Sequence, residues 1–360
     1  MHIPDGFVDV PTAVVTGALS LGTVAYAVRK TKNDLGERTV PLLGVSAAFI
    51  FAAQMLNFPV AGGTSGHFLG AMFAVALLGV WPAPIVMTVV LVVQALGMAD
   101  GGITALGANV FNMGVIAVLV GYAVFVGLKR ILPRTLPGYL VSVAVASWIS
   151  VVAASAAAAV ELAISGTTPL RMALPAMVSV HMVIAIGEAL ITTAVVAAVL
   201  ATRPDLVKTF DLPLETVRRA TGRRTTRMSK RARFWSFVAG ALVVAVALAM
   251  FVSPFASGSP DGMEKVAADT GFEAAASEEP TWGLSPLGNY QFPGIGNEGV
   301  ATAVAGLLGT VVLFALVILA GRALSGRRMT PAAQPARANE ETRDLPPPGP
   351  SGRSQTRPRP

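Results

Sequence analysis

Nine apolar runs divide this chain, and they decide most of what it can become. They lie at roughly 10–28, 41–57, 67–80, 84–99, 109–128, 139–163, 176–200, 235–253 and 299–320. Several reach the ~20 residues that carry a helix across a bilayer. In hydrocarbon every backbone N–H and C=O must be satisfied inside the protein, so runs of this length become helices. Charged residues make up only 13% of the chain, against about 25% in a soluble domain. The chain reads as an all-α, multi-pass membrane protein of about nine transmembrane helices.

Its orientation follows from the basic residues. Segments 29–40, 129–138, 201–234 and the stretch from 321 onward hold 25 of the 27 Lys and Arg, leaving Arg171 and Lys265 elsewhere. Basic connections stay in the cytoplasm, so the N-terminus is expected outside and the C-terminus inside. The net charge of +7 is therefore topogenic, and it contacts the lipid bilayer rather than nucleic acid. The first run is not a cleavable signal, because Asp5 and Asp9 precede it and Arg29 and Lys30 follow it. The absence of cysteine excludes a disulfide framework and thiolate chemistry. There is no Walker loop, no nucleophile–base constellation and no catalytic carboxylate pair, so no enzymatic activity is expected.

Four regions are expected. Residues 1–200 carry seven apolar runs. Residues 201–234 form a basic cytoplasmic linker. Residues 235–322 hold two runs around an outside loop of about 45 residues, and 323–360 form a disordered Pro- and Arg-rich tail. The third and fourth runs are short and flanked by Gly-rich breaks, "PVAGGTSGH" and "MADGGITALGANVFNM". Irregular backbone at membrane depth is tolerated only where protein buries it or where it lines a cavity.

The candidate chemistry begins at the N-terminus. A histidine at position 2 allows the Met1 amine, the His2 amide nitrogen and the His2 Nδ1 to bind one ion through fused five- and six-membered rings. Three nitrogens then lie in a plane with a fourth corner open. That geometry suits Ni(II) and Cu(II), and Co(II) is accommodated; zinc and calcium fit worse. Met1 is expected to be retained, since a large second residue disfavours its removal. His2 alone is most simply an ordinary second residue. His67, in a Gly-rich break on the same outer side, reads equally as the fourth donor or as an imidazole hydrogen-bonded inside the bundle. His181 and Glu188, seven residues apart, share a helix face and read as support for a site or as a structural polar pair. Asp100, Thr104, Asn109 and Asn112 read as caps of broken helices, or as groups orienting the imidazoles. Gln54 and Asn57 share that ambiguity. The scattered methionines read as core filler.

Four stretches in order, "MHIPDGF", "PVAGGTSGHFLG", "DGGITALGANVFNMG" and "HMVIAIGEALIT", resemble the CbiM/NikM family, the substrate-binding components of energy-coupling factor transporters for cobalt and nickel. The C-terminal module, with "SPDGMEKVAADTGF" and "PLGNYQFPGIGNEG", resembles the CbiN-like PDGLE domain, with Met263 where that family has Leu. The resemblance implies a seven-helix substrate-binding bundle plus a two-helix module, in a prokaryotic plasma membrane. It implies a four-nitrogen site from the Met1 amine, the His2 amide and imidazole and the His67 imidazole, closed from outside by the N-terminal segment. Asn57, Ser65, Thr104, Asn109, Asn112, His181 and Glu188 are the expected supporting residues. No cofactor is expected; Co(II) or Ni(II) is the transported substrate, for cobalamin biosynthesis or nickel enzymes. The partners implied are a transmembrane coupling (T) protein and two cytoplasmic ATPases. Planar nitrogen geometry leans to nickel, while the PDGLE-like module leans to cobalt. The competing reading is a secondary transporter of a small organic solute, which needs charged coupling residues at mid-membrane. Asp100, Glu161 and Glu188 are the few candidates.

Overall fold

The computed structural model describes residues 1–213, 216–217, 228–277 and 281–325. The expected tail beyond 325 and the 218–227 part of the basic linker lie outside the described residues. Among those described, six helices are long and apolar enough to cross a membrane, and two more apolar helices are shorter.

The order is α1 (Val10–Thr31), α2 (Thr39–Gln54), a hairpin of β1 (Phe58–Val60) and β2 (Thr64–Gly66), α3 (Ala71–Leu78), α4 (Pro82–Val93), α5 (Leu106–Asn109), α6 (Ala117–Ile131), α7 (Leu136–Ile164) and α8 (Leu170–Thr202). The second module adds α9 (Lys230–Ala247), α10 (Gly262–Thr270) and α11 (Glu298–Ser325). A π-helical turn at Gln94–Met98 extends α4, and another at Val110–Ile116 joins α5 to α6.

Length and burial go together. Helix α2 is buried along almost its whole length and α3 along all of it. A helix apolar on every side belongs in the interior, and an interior helix need not match the bilayer thickness. Helix α1 is the opposite case, with Val14, Val15, Leu19 and Leu21 exposed. Its start is set by Asp9, whose side chain accepts from Thr12 N at 3.0 Å. The terminal acids therefore have structural work beyond topology.

The run expected at 67–80 yields only the eight residues of α3. Ahead of it, Pro59 and the Gly62–Gly63 turn, both glycines at positive φ, build an antiparallel hairpin pairing Phe58 with Gly66, Pro59 with Ser65 and Val60 with Thr64. The Gly-rich break is thus an ordered ribbon. Its other edge is covered by the second module: Ser65 N donates to Pro260 O at 2.8 Å, and Ser257 N donates to Asn57 O at 2.7 Å.

The second module is packed into the first. Helix α11 lies along α2, with Gly309 against Phe51. A Cβ at Gly309 would collide with that ring and lie 2.6 Å from Met98 Cε. Small residues at membrane helix crossings permit such close backbone approach. Residues Met1–Ser325 form one compact unit.

Candidate metal centre

The N-terminus is folded inward. Met1, Ile3, Asp5 and Phe7 are all buried. Asn109 holds the Ile3 peptide at both ends: its Oδ1 accepts from Ile3 N at 2.7 Å and its Nδ2 donates to Ile3 O at 3.0 Å. Gly102 N donates to the same carbonyl at 2.8 Å. Asp5 Oδ1 accepts from Thr104 N (2.8 Å) and Thr104 Oγ1 (2.6 Å), and Asp5 Oδ2 accepts from Thr281 N at 3.0 Å. The "DGGITALGAN" segment is therefore the floor on which residues 1–5 lie. Its polar side chains bind the terminus rather than capping α5, which has no side-chain cap.

This fold brings Met1 N to 2.8 Å from His67 Nε2. The His2 and His67 rings stack, with centroids 5.1 Å apart and planes 24° apart. His67 Nδ1 lies 3.1 Å from Phe68 O. A carbonyl only accepts, so Nδ1 carries the proton and Nε2 offers its lone pair to the terminus. His67 is fixed from below. Glu188 accepts from Leu69 N (2.7 Å) and Gly70 N (3.0 Å), placing a carboxylate at the start of α3, and Gln54 Nε2 donates to Leu69 O at 2.7 Å. Burial, then the adjacent terminal ammonium, holds the His67 imidazole below its ordinary value, which favours the neutral ring.

The tautomer of His2 follows from a side-chain chain. Gln94 Nε2 donates to Gln54 Oε1 at 2.7 Å, which turns Gln94 Oε1 toward His2 Nε2 at 3.3 Å. That nitrogen is the donor, and in the neutral ring Nδ1, the nitrogen a terminal chelate requires, carries no proton. Asp100 Oδ1 stands 3.3 Å from it. Asp100 is in turn held by Tyr290, whose Oη donates to Oδ2 at 2.5 Å. Burial lowers the proton affinity of His2, and Asp100 partly offsets this.

The second module closes the site. Asp261 Oδ2 lies 2.6 Å from Met1 N and 4.0 Å from His67 Nε2. Burial pushes the Asp261 carboxyl up, but the ammonium and His67 outweigh it and the group stays well below the carboxylate range. Ser277 N donates to Asp5 O, Leu287 N to Gly97 O and Trp282 Nε1 to Leu96 O, each at 2.9 Å. No three His, Cys, Asp or Glu side chains among the described residues cluster closely enough to hold an ion by themselves.

The expected residues divide accordingly. Met1, His2 and His67 meet, and Thr104 and Asn109 hold the terminus. Ser65 Oγ donates to Ser259 O at 2.7 Å, and Asn57 takes part through its backbone carbonyl, so both belong to the seam between the modules. Asn112 is turned away, donating to Glu161 Oε2 at 2.7 Å inside the bundle. Glu188 supports His67 through α3. His181 Nδ1 donates to Met177 O at 2.8 Å, while its buried Nε2 has no partner among the described residues. Sequence reasoning missed Gln94, Tyr290 and Asp261. Only Asp261 carried a local signal: it opens the Asp-x-x-Glu pattern of a capping box, and it caps α10 with Glu264 reciprocating.

Comparison with known proteins agrees with this architecture. The family described as the cobalt uptake substrate-specific transmembrane region, CbiM, matches residues 2–206, and the PDGLE domain matches 235–326. A NikMN protein of Archaeoglobus fulgidus is 36% identical over 326 residues, 88% of this chain and 96% of that protein. The fused nickel transport protein NikMN of Rhodobacter capsulatus is 31% identical over 359 residues, 91% of this chain and 99% of that one. A crystal structure of a truncated transition metal transporter superposes with a TM-score of 0.50 at 37% identity, covering 56% of this chain and 98% of that one. The chain therefore belongs to the CbiM family of cobalt-uptake substrate-specific transmembrane proteins, with a PDGLE domain in the same polypeptide.

Proposed function

We propose that this chain is the substrate-binding subunit of an energy-coupling factor importer, which captures Co(II) or Ni(II) from outside and passes it inward. The metal would feed cobalamin biosynthesis or nickel enzymes. A transmembrane coupling protein and two cytoplasmic ATPases supply the energy; this chain supplies selectivity. Its N-terminus faces outward, as the basic connections require.

The observation that carries this reading is the 2.8 Å between Met1 N and His67 Nε2. Neighbouring donors in a square plane about 2.0 Å from an ion stand about 2.8 Å apart. The Met1 amine, the His2 amide, His2 Nδ1 and His67 Nε2 would then complete a plane of four nitrogens, the arrangement preferred by Ni(II) and open to Co(II). Gln94 supports it by leaving Nδ1 bare, the usual task of a residue behind a ligating histidine.

Elemental analysis of the purified full chain, grown with both metals, tests this. Wild type should carry close to one ion. His67→Ala, and a chain extended by one residue before Met1, should carry almost none. Wild-type metal content in both would sink the assignment. Uptake that survives loss of the partner ATPases would point instead to secondary transport.

A further inference from the structure

Asp261 divides its carboxylate between two tasks. Oδ1 accepts from Met263 N (2.7 Å) and Glu264 N (2.9 Å) at the start of α10, and Oδ2 is turned to the Met1 nitrogen at 2.6 Å. The cap thus fixes the plane of the carboxylate and aims its second oxygen. Met1 N, His67 Nε2 and Asp261 Oδ2 are separated by 2.8, 2.6 and 4.0 Å. In a square plane of donors about 2.0 Å from an ion, neighbouring donors stand about 2.8 Å apart and opposite donors about 4.0 Å. The three atoms therefore match three corners of a coordination square, with Met1 N between the other two and Asp261 Oδ2 opposite His67.

We propose that Asp261 is a ligand of the incoming cation, contributed by the PDGLE module, and that it holds the ion while the four-nitrogen set closes. The proposal rests on the metal reading given above. In a terminal chelate the amide is the middle donor, so the corner opposite His67 belongs to the His2 amide once the set is complete. Asp261 Oδ2 stands in that corner. On capture the Met1 ammonium gives one proton to water and its nitrogen binds the ion; in the exchange that follows, the ion–oxygen bond breaks, the ion–nitrogen bond to the amide forms, and the amide proton leaves to water. The carboxylate is left free, and no oxidation state changes. A second feature marks the same turn as facing a ligand. Buried His181 presents to it an Nε2 without a partner among the described residues, and a Cβ at Gly262 would lie 2.9 Å from that nitrogen. Only glycine after Asp261 lets the turn approach this closely.

The test is stopped-flow Co(II) loading of the full chain in nanodiscs, with X-ray absorption on freeze-quenched samples. Asp261→Asn and Asp261→Ser keep a good helix cap but lack the anionic donor. Both should load at least about tenfold more slowly, with melting temperatures close to wild type. The early wild-type sample should show one oxygen donor that both variants lack. Glu264→Ala, which removes the bond that Glu264 returns to Asp261 N and so disturbs the cap alone, should load normally. Wild-type loading rates in Asp261→Asn would overturn the proposal. So would equal slowing in Glu264→Ala, which would mean that the cap alone matters. His67→Ala separates the two readings. If it binds metal normally, the four-nitrogen site fails; if it does not bind while Asp261→Asn loads normally, only the role of Asp261 fails.

Discussion

Replacing Asn109 by alanine should release the N-terminus. The side chain makes two buried hydrogen bonds to the Ile3 peptide. Ile3 O keeps a second donor in Gly102 N, but Asn109 is the one partner of Ile3 N among the described residues. One lost bond costs about 0.5–1.5 kcal/mol, and a buried N–H left unsatisfied about 1–3 kcal/mol. A combined loss of about 1.5–4.5 kcal/mol corresponds to roughly 10- to 1,500-fold in the insertion equilibrium, at 1.4 kcal/mol per tenfold. Because the proposed metal site needs the inserted terminus, titration calorimetry with Co(II) should show this factor as weaker affinity wherever the metal-free terminus spends most of its time released. Wherever it stays inserted, the same free energy should appear as faster hydrogen exchange at residues 1–9. Affinity within threefold of wild type, together with unchanged exchange, would refute the idea that Asn109 holds the terminus in place.

Gln94→Leu removes the acceptor that sets the His2 tautomer and breaks the link to Gln54. Metal affinity should fall about 10- to 100-fold, while tryptophan-fluorescence melting moves little; a normal affinity would dismiss the relay. Gly309→Val places a branched side chain against Phe51, and overpacking of about 1–3 kcal/mol should lower the melting temperature by several degrees, which differential scanning fluorimetry reads directly. Asp5 gives a pH signature. Burial pushes its carboxyl up, but hydrogen bonds from the Thr104 hydroxyl, Thr104 N–H and Thr281 N–H more than offset this, and it ends below its ordinary value of 3.8. A depressed carboxyl stabilises the fold above the unfolded value and loses that contribution as pH falls through the folded one. The melting-temperature gap between wild type and Asp5→Asn should therefore hold steady near neutrality and close below about pH 4; a gap that widens on acidification contradicts the clasp.

Much of this protein was legible in its sequence because the relevant physics is local. A run of about 20 apolar residues must become a helix in hydrocarbon, whatever its neighbours, and α6, α7, α8, α9 and α11 lie where the runs place them. The proposed chelate of Met1 and His2 would need only covalent bonds within two residues. The shared helix face of His181 and Glu188 follows from a spacing of seven.

What those residues touch was decided by tertiary packing. His67 reaches Met1 across 66 residues, Gln94 reaches His2 across 92 and Asp261 reaches Met1 across 260. No periodicity encodes such distances. Glu188 supports His67 because α3 is short, buried and begins against α8. Asn112, read alongside Asn109, faces Glu161 instead, since three residues along a helix rotate a side chain by most of a turn and the π-helical step shifts it again. The capping pattern at Asp261 was visible in the chain, but a cap uses one carboxylate oxygen. Where the other oxygen points depends on how α10 is docked, and the packing of α11 on α2 and of residues 257–260 on the hairpin edge turns it onto the N-terminus.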